Sequence, residues 1–200
     1  MVYTVRQNIK EGISMKNSRQ NKTIYTIILA SIFAAIITVL TFSVKIPSHN
    51  GYIHVGDAAI YLAACLLPTP YALASAAIGG MLADSLGGYI VYIIPTMIIK
   101  ALLSVFFSSK GSRLLTKKNI IALLPASAVT IIGYYIAEVV LVAISLSNGF
   151  GGFVETIFTS VPWVSAVYCI PANITQAVGS AVVFVLLAIA LDKIKIKDKI

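Results

Sequence analysis

The chain has 200 residues, of which 58% are hydrophobic and only 11% are charged, and its mean hydropathy is +0.93. Because a soluble domain carries roughly 25% charged residues, this composition argues against a soluble enzyme and indicates a membrane protein. The formal net charge of +8 would suit a nucleic-acid partner. However, the cations lie in short patches between apolar runs, so no nucleic-acid binding is predicted.

The apolar runs predict the membrane spans. A helix that crosses the hydrocarbon core needs ~20 mostly apolar residues. In chain order the runs cover residues 24–44, 55–67, 71–86, 92–107, 120–146 and 172–191. The second run is short and ends at Pro68-Thr69-Pro70. By length alone it could also be re-entrant or interfacial.

The basic patches decide how these runs are counted. They lie in the N-terminal tail, between the fourth and fifth runs, and at the C-terminus; their cations are Arg6, Lys10, Lys16, Arg19, Lys22, Lys110, Arg113, Lys117, Lys118, Lys193, Lys195, Lys197 and Lys199. Only if the short run crosses do all three patches fall on one side, which the positive-inside rule assigns to the cytoplasm. The prediction is an all-α membrane protein with six transmembrane helices and cytoplasmic termini. Residues 1–22 and 193–200 are then basic tails around a membrane domain of residues 23–192.

Several kinds of chemistry are missing from the sequence. There is no G-x-x-x-x-G-K-[ST] phosphate loop and no hydrolase or metalloprotease pattern, so no catalytic residue, cofactor or metal is predicted. Cys65 and Cys169 lie in or beside apolar runs and are expected to be inert thiols. His49 and His54 share an outer loop, where two histidines without a third ligand are more consistent with solvated residues than with a zinc site.

Polar side chains inside the spans mark a candidate binding site. An ionisable residue at a helix centre costs ~2.5–3.5 kcal/mol, so it usually faces a bundle interior or a watery cavity. Helical spacing places such residues on inward stripes in the outer half of the last four spans. The candidate substrate-binding residues are Asp84, Tyr89, Tyr92, Thr96, Lys100, Tyr134, Glu138, Trp163, Asn173 and Gln176. Tyr168 could add a ring, and residues 51–54 and 150–171 are expected to cover the pocket from outside.

Structural roles for the same residues stay open. Asp84 and Lys100 could neutralise each other as a structural pair. Asn173 and Gln176 could be contacts between helices. The rings of Tyr89, Tyr92 and Trp163 could belong to an interfacial aromatic belt.

The first span carries small residues at helical spacing. Ala30, Ser31, Ala34 and Ala35 form two overlapping small-x-x-x-small pairs, a pattern that lets another helix approach closely. This face could pack inside the protein or dock another protein.

Four motifs resemble a known family. They are His54-Val55-Gly56-Asp57-Ala58, Ala77-Ile78-Gly79-Gly80-Met81-Leu82-Ala83-Asp84, Pro95-Thr96-Met97-Ile98-Ile99-Lys100-Ala101 and Pro171-Ala172-Asn173-Ile174-Thr175-Gln176. Over about residues 24–193 the chain resembles an S component, the substrate-capture subunit of an energy-coupling factor (ECF) vitamin transporter. The pattern is similar to the branch that includes riboflavin and hydroxymethylpyrimidine S components.

The resemblance implies a function and a set of partners. It implies a multi-pass protein of the bacterial plasma membrane that binds a vitamin or vitamin precursor at its extracellular side. Its partners would be a membrane coupling (T) subunit, met through the Ala30-x-x-x-Ala34 face, and two cytoplasmic ATPase subunits that supply the missing phosphate loop. The chain departs from relatives at Pro68-Thr69-Pro70-Tyr71, where they often have a Gly-Pro-x-x-Gly-like turn. The identity of the vitamin stays open.

Two other function classes are compatible with the sequence. One is a stand-alone secondary transporter or channel that uses Asp84, Lys100 and Glu138 as an ion or proton relay. The other is a membrane scaffold whose small-residue faces only assemble other proteins.

Overall fold

The computed structural model describes residues 2–48 and 52–199, with side chains described from Gln20 onward. The helices are α1 (Val2–Ser43), α2 (Gly56–Leu66), α3 (Thr69–Gly87), α4 (Ile93–Val105), α5 (Lys117–Leu146), α6 (Gly149–Ile157), α7 (Ser160–Ala166) and α8 (Ile170–Lys193). Short strands β1 (Lys45–Pro47) and β2 (Tyr52–His54) pair antiparallel. One-turn 3-10 helices cover Ile90–Tyr92, Val167–Cys169 and Ile196–Asp198.

The predicted helical membrane fold agrees with this architecture. Within the described part of the chain, three helical stretches are long and apolar enough to cross a membrane: Gln20–Ser43, Lys117–Leu146 and Ser160–Lys193. Gly56–Leu66 and Ile90–Val105 are shorter apolar helices. The first helix already begins at Val2, so it continues through the predicted tail boundary at residue 22.

The short helix α2 lies at the centre of the bundle. It packs against α1, α3, α4 and α8, and α5 completes the ring between α4 and α8. Every residue from Gly56 to Cys65 is buried. At a rise of 1.5 Å per residue this helix is only about 16 Å long. It ends at Leu66, and the next residue, Leu67, has the extended backbone that a following proline imposes.

Small residues bring α1 and α3 into close contact. A Cβ at Gly79 would lie 2.7 Å from Ile37 Cγ2 and 2.9 Å from the Ala34 carbonyl oxygen. Thr38 Oγ1 donates a hydrogen bond of 3.1 Å to the Gly79 carbonyl, and Ser75 Oγ donates one of 2.8 Å to the Ala30 carbonyl. Ala30 and Ala34 therefore pack inside the chain.

The remaining small residues of the first span point away from α3. Ser31 and Ala35 are exposed in the described structure. The sequence left open whether the small-residue face of this span packs internally or docks a partner. The two overlapping pairs lie on different sides of the helix, because successive residues on a helix are turned by about 100°. Ala30 and Ala34 pack inside the protein, and Ser31 and Ala35 are exposed.

The connection between α4 and α5 is tied to the C-terminus. The Asn119 side chain accepts a hydrogen bond from the Ser108 N–H (2.8 Å) and donates one to the Leu114 carbonyl (2.9 Å). The Asp192 carboxylate accepts from the N–H groups of Leu114 (2.7 Å) and Leu115 (3.1 Å). These bonds satisfy backbone groups that a loop of this kind would otherwise leave unpaired. The connection between α4 and α5 is therefore held in a defined conformation by α5 and by the end of α8.

Two predicted loops contain secondary structure. The strands Lys45–Pro47 and Tyr52–His54 form the β1–β2 hairpin, in which Lys45 pairs with His54 and Pro47 with Tyr52. The outer connection of residues 147–171 is largely helical, because it contains α6 and α7. Its exposed apolar side chains include Phe150 and Phe158, which suit a helix against an apolar surface better than a solvated loop.

Candidate functional site

A pocket opens at the end of the bundle where α1 and α3 end and α8 begins. Its lining residues come from the hairpin and from α1, α3, α4, α5 and α8, together with the segments that join them: Thr41, Ser48, Tyr52, His54, Asp84, Tyr89, Tyr92, Thr96, Tyr134, Glu138, Cys169, Ala172, Asn173 and Gln176. Eight candidate residues from the sequence thus meet in one cavity: Asp84, Tyr89, Tyr92, Thr96, Tyr134, Glu138, Asn173 and Gln176.

Two candidate residues lie elsewhere. Trp163 is in α7 outside the lining, where its Nε1–H donates a hydrogen bond of 2.8 Å to the Ile157 carbonyl and its ring packs 6.1 Å from that of Tyr135. Lys100 lies beneath the pocket rather than in its wall. Tyr168, the additional ring, is exposed and also outside the lining. An exposed aromatic at this level is typical of an interfacial position.

Hydrogen bonds between tyrosines and carboxylates cross the pocket. Tyr52 Oη donates to Asp84 Oδ1 at 2.8 Å, and Tyr92 Oη donates to Glu138 Oε2 at 2.5 Å. The Tyr52 ring also lies 4.8 Å from the Tyr89 ring. Burial, followed by the negative charge of Asp84, raises the pKa of the Tyr52 hydroxyl, which keeps it protonated as a donor. The hydrogen bond from Tyr52 therefore connects strand β2 to α3 at the pocket.

The cavity lined by these side chains is small. Its volume is about 70 Å³, whereas pockets for small organic ligands usually measure ~300–1,000 Å³. Strand β2 reaches this cavity through Tyr52, whose hydroxyl donates to Asp84 of α3.

A buried ion pair forms the floor beneath the pocket. Lys100 Nζ lies 2.6 Å from Asp57 Oδ1, and the two side chains are 1% and 0% exposed. Gln176 Nε2 donates to the other oxygen of Asp57 at 3.1 Å, and the Tyr134 ring lies 5.2 Å from Lys100 Nζ. The floor thus connects α2, α4 and α8, and Gln176 belongs to both the floor and the lining.

The partner of Lys100 corrects one reading of the sequence. A structural pair between Lys100 and Asp84 is wrong, because α2 lies between the other helices and supplies Asp57 instead. Asp57 was not among the candidate site residues. Its position in the first turn of an apolar helix was an available signal, since an acid there is favoured by the helix dipole and needs a partner when buried.

The environment of His54 differs from the predicted solvated loop. Its side chain is buried, and Nδ1 accepts a hydrogen bond of 3.0 Å from the Gly56 N–H at the start of α2. Burial, followed by the positive charge of Lys100, lowers the pKa of this imidazole to about 3. His54 is therefore neutral near pH 7. The structure supplies a reason for the burial, because the histidine satisfies an otherwise unpaired N–H at a buried helix end.

No group of three or more His, Cys, Asp or Glu side chains suited to a metal ion occurs among the residues that the structure describes. The prediction for His49 lies outside those residues. Cys65 and Cys169 are both free thiols, and Cys65 is buried.

Comparison with known proteins identifies the family. The family model described as "ECF-type riboflavin transporter, S component" matches residues 21–193. The chain belongs to this family of S components. No curated protein matches the sequence.

A solved structure shares the fold of this S component. The bacterial protein described in "Structure and mechanism of the S component of a bacterial ECF transporter" superposes with a TM-score of 0.60 at 23% sequence identity. The alignment covers 88% of this chain and 98% of the other. Membership of the family makes this chain a membrane-embedded, substrate-binding subunit of a vitamin transporter and not an enzyme.

Proposed function

We propose that this S component captures a small vitamin or vitamin precursor with an aromatic heterocycle at the extracellular side of the membrane and delivers it for ATP-driven uptake. The observation that carries the proposal is the composition of the pocket. Its described lining combines four tyrosine rings, Tyr52, Tyr89, Tyr92 and Tyr134, with a few carboxylate and amide groups. Flat rings bind between aromatic side chains, while a few placed polar groups orient them.

The orientation of the pocket supports capture from outside. The pocket lies where α3 ends and α8 begins, whereas Lys110 and Arg113 lie at the opposite end of the bundle, in the connection that Asp192 of α8 holds. The basic residues mark the cytoplasmic side by the positive-inside rule. With six helices crossing the membrane and both termini cytoplasmic, the pocket faces outward.

Delivery requires partner subunits. By analogy with the family, a membrane coupling subunit would dock on the first helix and two cytoplasmic ATPases would drive the cycle. Of the four small residues Ala30, Ser31, Ala34 and Ala35, Ser31 and Ala35 are exposed. Ser31 Oγ donates to the Ile27 carbonyl at 3.0 Å, so its hydroxyl brings no unpaired polar group to an apolar contact. These two residues form the proposed docking face.

Loading requires the hairpin to lift. A ring system that fills the pocket would break the hydrogen bond between Tyr52 and Asp84 and separate Tyr52 from Tyr89. The ligand can replace both interactions, because it offers a ring to stack and polar edges to the carboxylate. Ligand binding would then exchange these two contacts of the hairpin for contacts with the ligand.

Mass spectrometry of the detergent-purified protein tests the proposal. We expect a co-purifying heterocycle, or binding of a member of a vitamin panel, that is weakened by Tyr92→Phe and unchanged by Tyr168→Phe at an exposed ring outside the pocket. Uptake into proteoliposomes should require the coupling subunit and both ATPases. Uptake by this chain alone would instead favour a secondary transporter with Asp84, Lys100 and Glu138 as a relay.

A further inference from the structure

The pocket has an acidic lining. Its described lining contains two carboxylates, Asp84 and Glu138, and neither Lys nor Arg. His54 also lines the pocket but is neutral, as its buried hydrogen bond to the Gly56 N–H requires an unprotonated Nδ1. Lys45, on β1, lies outside the lining with its ammonium 5.5 Å from the centroid of the Tyr52 ring. A ligand therefore meets acceptors and negative charge.

Asp84 is the carboxylate whose bonding is incomplete. The residue is only 5% exposed, and Oδ1 accepts the hydrogen bond from Tyr52. Oδ2 is buried without a hydrogen-bond partner among the described residues. Within the same residues Asp84 makes no ion pair, because Lys100 is held at 2.6 Å by Asp57. Buried carboxylates are usually paired or fully hydrogen-bonded, so this oxygen invites a donor from outside the chain.

A second polar atom in the lining is also unsatisfied. Asn173 Nδ2 at the start of α8 is buried and has no hydrogen-bond partner among the described residues. The lining thus presents an acceptor on α3 and a donor on α8, and tyrosine rings line the same cavity. Aromatic faces attract cations, which adds to the preference that the carboxylate creates.

We propose that the pocket selects a heterocycle with a protonated or amino-substituted edge, which donates N–H groups to Asp84 while a ring acceptor takes the Asn173 amide. This inference rests on the proposed function and names its substrate class. A protonated ring nitrogen beside an exocyclic amino group has two parallel donors. That edge matches a carboxylate in the way a guanidinium does.

The same geometry disfavours a neutral ring edged by carbonyl oxygens. A flavin presents two carbonyl acceptors around a single N–H on its pyrimidine edge. If this edge faced Asp84, the two carbonyl oxygens would be repelled by the carboxylate, and only the N–H could donate a hydrogen bond to it. The charge of the lining therefore points away from riboflavin, although the family model takes its name from that vitamin.

A matched pair of probes tests the inference. Binding of 4-amino-2-methylpyrimidine, its 4-oxo counterpart and riboflavin is measured on the purified full chain by isothermal titration calorimetry. We expect the amino probe to bind about 10- to 100-fold tighter than the oxo probe, the ratio expected for one charge-assisted hydrogen bond. Asp84→Asn should lower that ratio to about one, because an amide can serve both probes, while Glu155→Gln on exposed α6 should leave it unchanged.

The outcomes separate this inference from the proposed function. Tighter binding of riboflavin or the oxo probe to the unmodified protein would overturn the inference and leave the proposed function intact. Since this comparison uses the unmodified chain, it stands even if Asp84→Asn fails to fold. If none of these probes and no other vitamin binds, and the purified protein carries no heterocycle, both proposals fail together.

Discussion

Replacing Asp57 by Asn should strongly destabilise this S component, because the change leaves the Lys100 ammonium without its counter-ion. The two groups lie 2.6 Å apart and are 0% and 1% exposed, so neither can turn to water. Asparagine preserves the shape of the side chain and leaves an oxygen for the Gln176 amide. The perturbation is therefore electrostatic rather than steric.

The expected magnitude follows from the burial of the pair. Removing one member of a buried ion pair costs about 3–5 kcal/mol, because the remaining charge stays desolvated. For a chain of this size each kcal/mol lowers the melting temperature by about 2–4 °C. We expect a decrease of about 6–20 °C. By contrast, Asp57→Leu together with Lys100→Met removes both charges and should recover most of the loss, since apolar replacements of buried pairs are often neutral.

Thermal unfolding in detergent, followed by tryptophan fluorescence, measures these shifts. Asp198→Asn in the exposed C-terminal segment is the matched control and should change the melting temperature by less than about 2 °C. The reasoning is refuted if Asp57→Asn resembles this control. It is also refuted if the losses of the single variants at Asp57 and Lys100 simply add in the double variant.

Three further predictions concern other contacts. Gly79→Val should lower the melting temperature and separate α1 from α3, because the Cβ of the new side chain alone would lie 2.7 Å from the Ile37 side chain. Thermal melting followed by circular dichroism measures this, and an unchanged melting temperature would contradict the close packing. Ala35→Leu should abolish co-purification with the coupling subunit while leaving vitamin binding intact. The control Ile28→Leu, at another exposed position of α1, should leave both co-purification and vitamin binding intact. The third prediction concerns His54, whose pKa in the folded protein is about 3. Below about pH 6.5 the unfolded chain therefore binds a proton at this histidine that the folded chain does not bind. Acidification from about pH 7.5 to about pH 5 should lower the free energy of unfolding by about 2 kcal/mol. His54→Asn should remove that part of the pH dependence, as judged by melts at both pH values.

The pocket was the most predictable part of this protein. Asp84, Glu138 and Asn173 stand out because a polar residue in an apolar span must face something other than lipid, and helical spacing then gives its direction. The structure places all three in the lining. Whether they bind substrate stays a prediction.

Partner choice within the bundle was not predictable in the same way. Helical periodicity shows which side of its own helix a residue occupies, but not which neighbouring helix it meets. The pair that the sequence suggested for Lys100 was with Asp84. The answer depends on the central position of α2, a tertiary arrangement that brings Asp57 to the floor. The same limit applies to His54, whose burial depends on the hairpin folding back over the start of α2.

Asp57 and Asp84 are both buried near the pocket, but their interactions suit them to different roles, one structural and one in ligand binding. Asp57 is neutralised by Lys100 and also receives a hydrogen bond from Gln176, so its negative charge is satisfied within the chain. Asp84 is also buried, yet its Oδ1 accepts from the Tyr52 hydroxyl while Oδ2 has no hydrogen-bond partner among the described residues. A ligand donor at Asp84 would gain an interaction that the empty protein lacks, whereas a donor at Asp57 would have to displace an existing one. Differential stabilisation of this kind is what allows binding to shift a conformational equilibrium. Because Tyr52 donates to this same carboxylate in the empty protein, a ligand that donates to both of its oxygens would take the place of the Tyr52 hydroxyl.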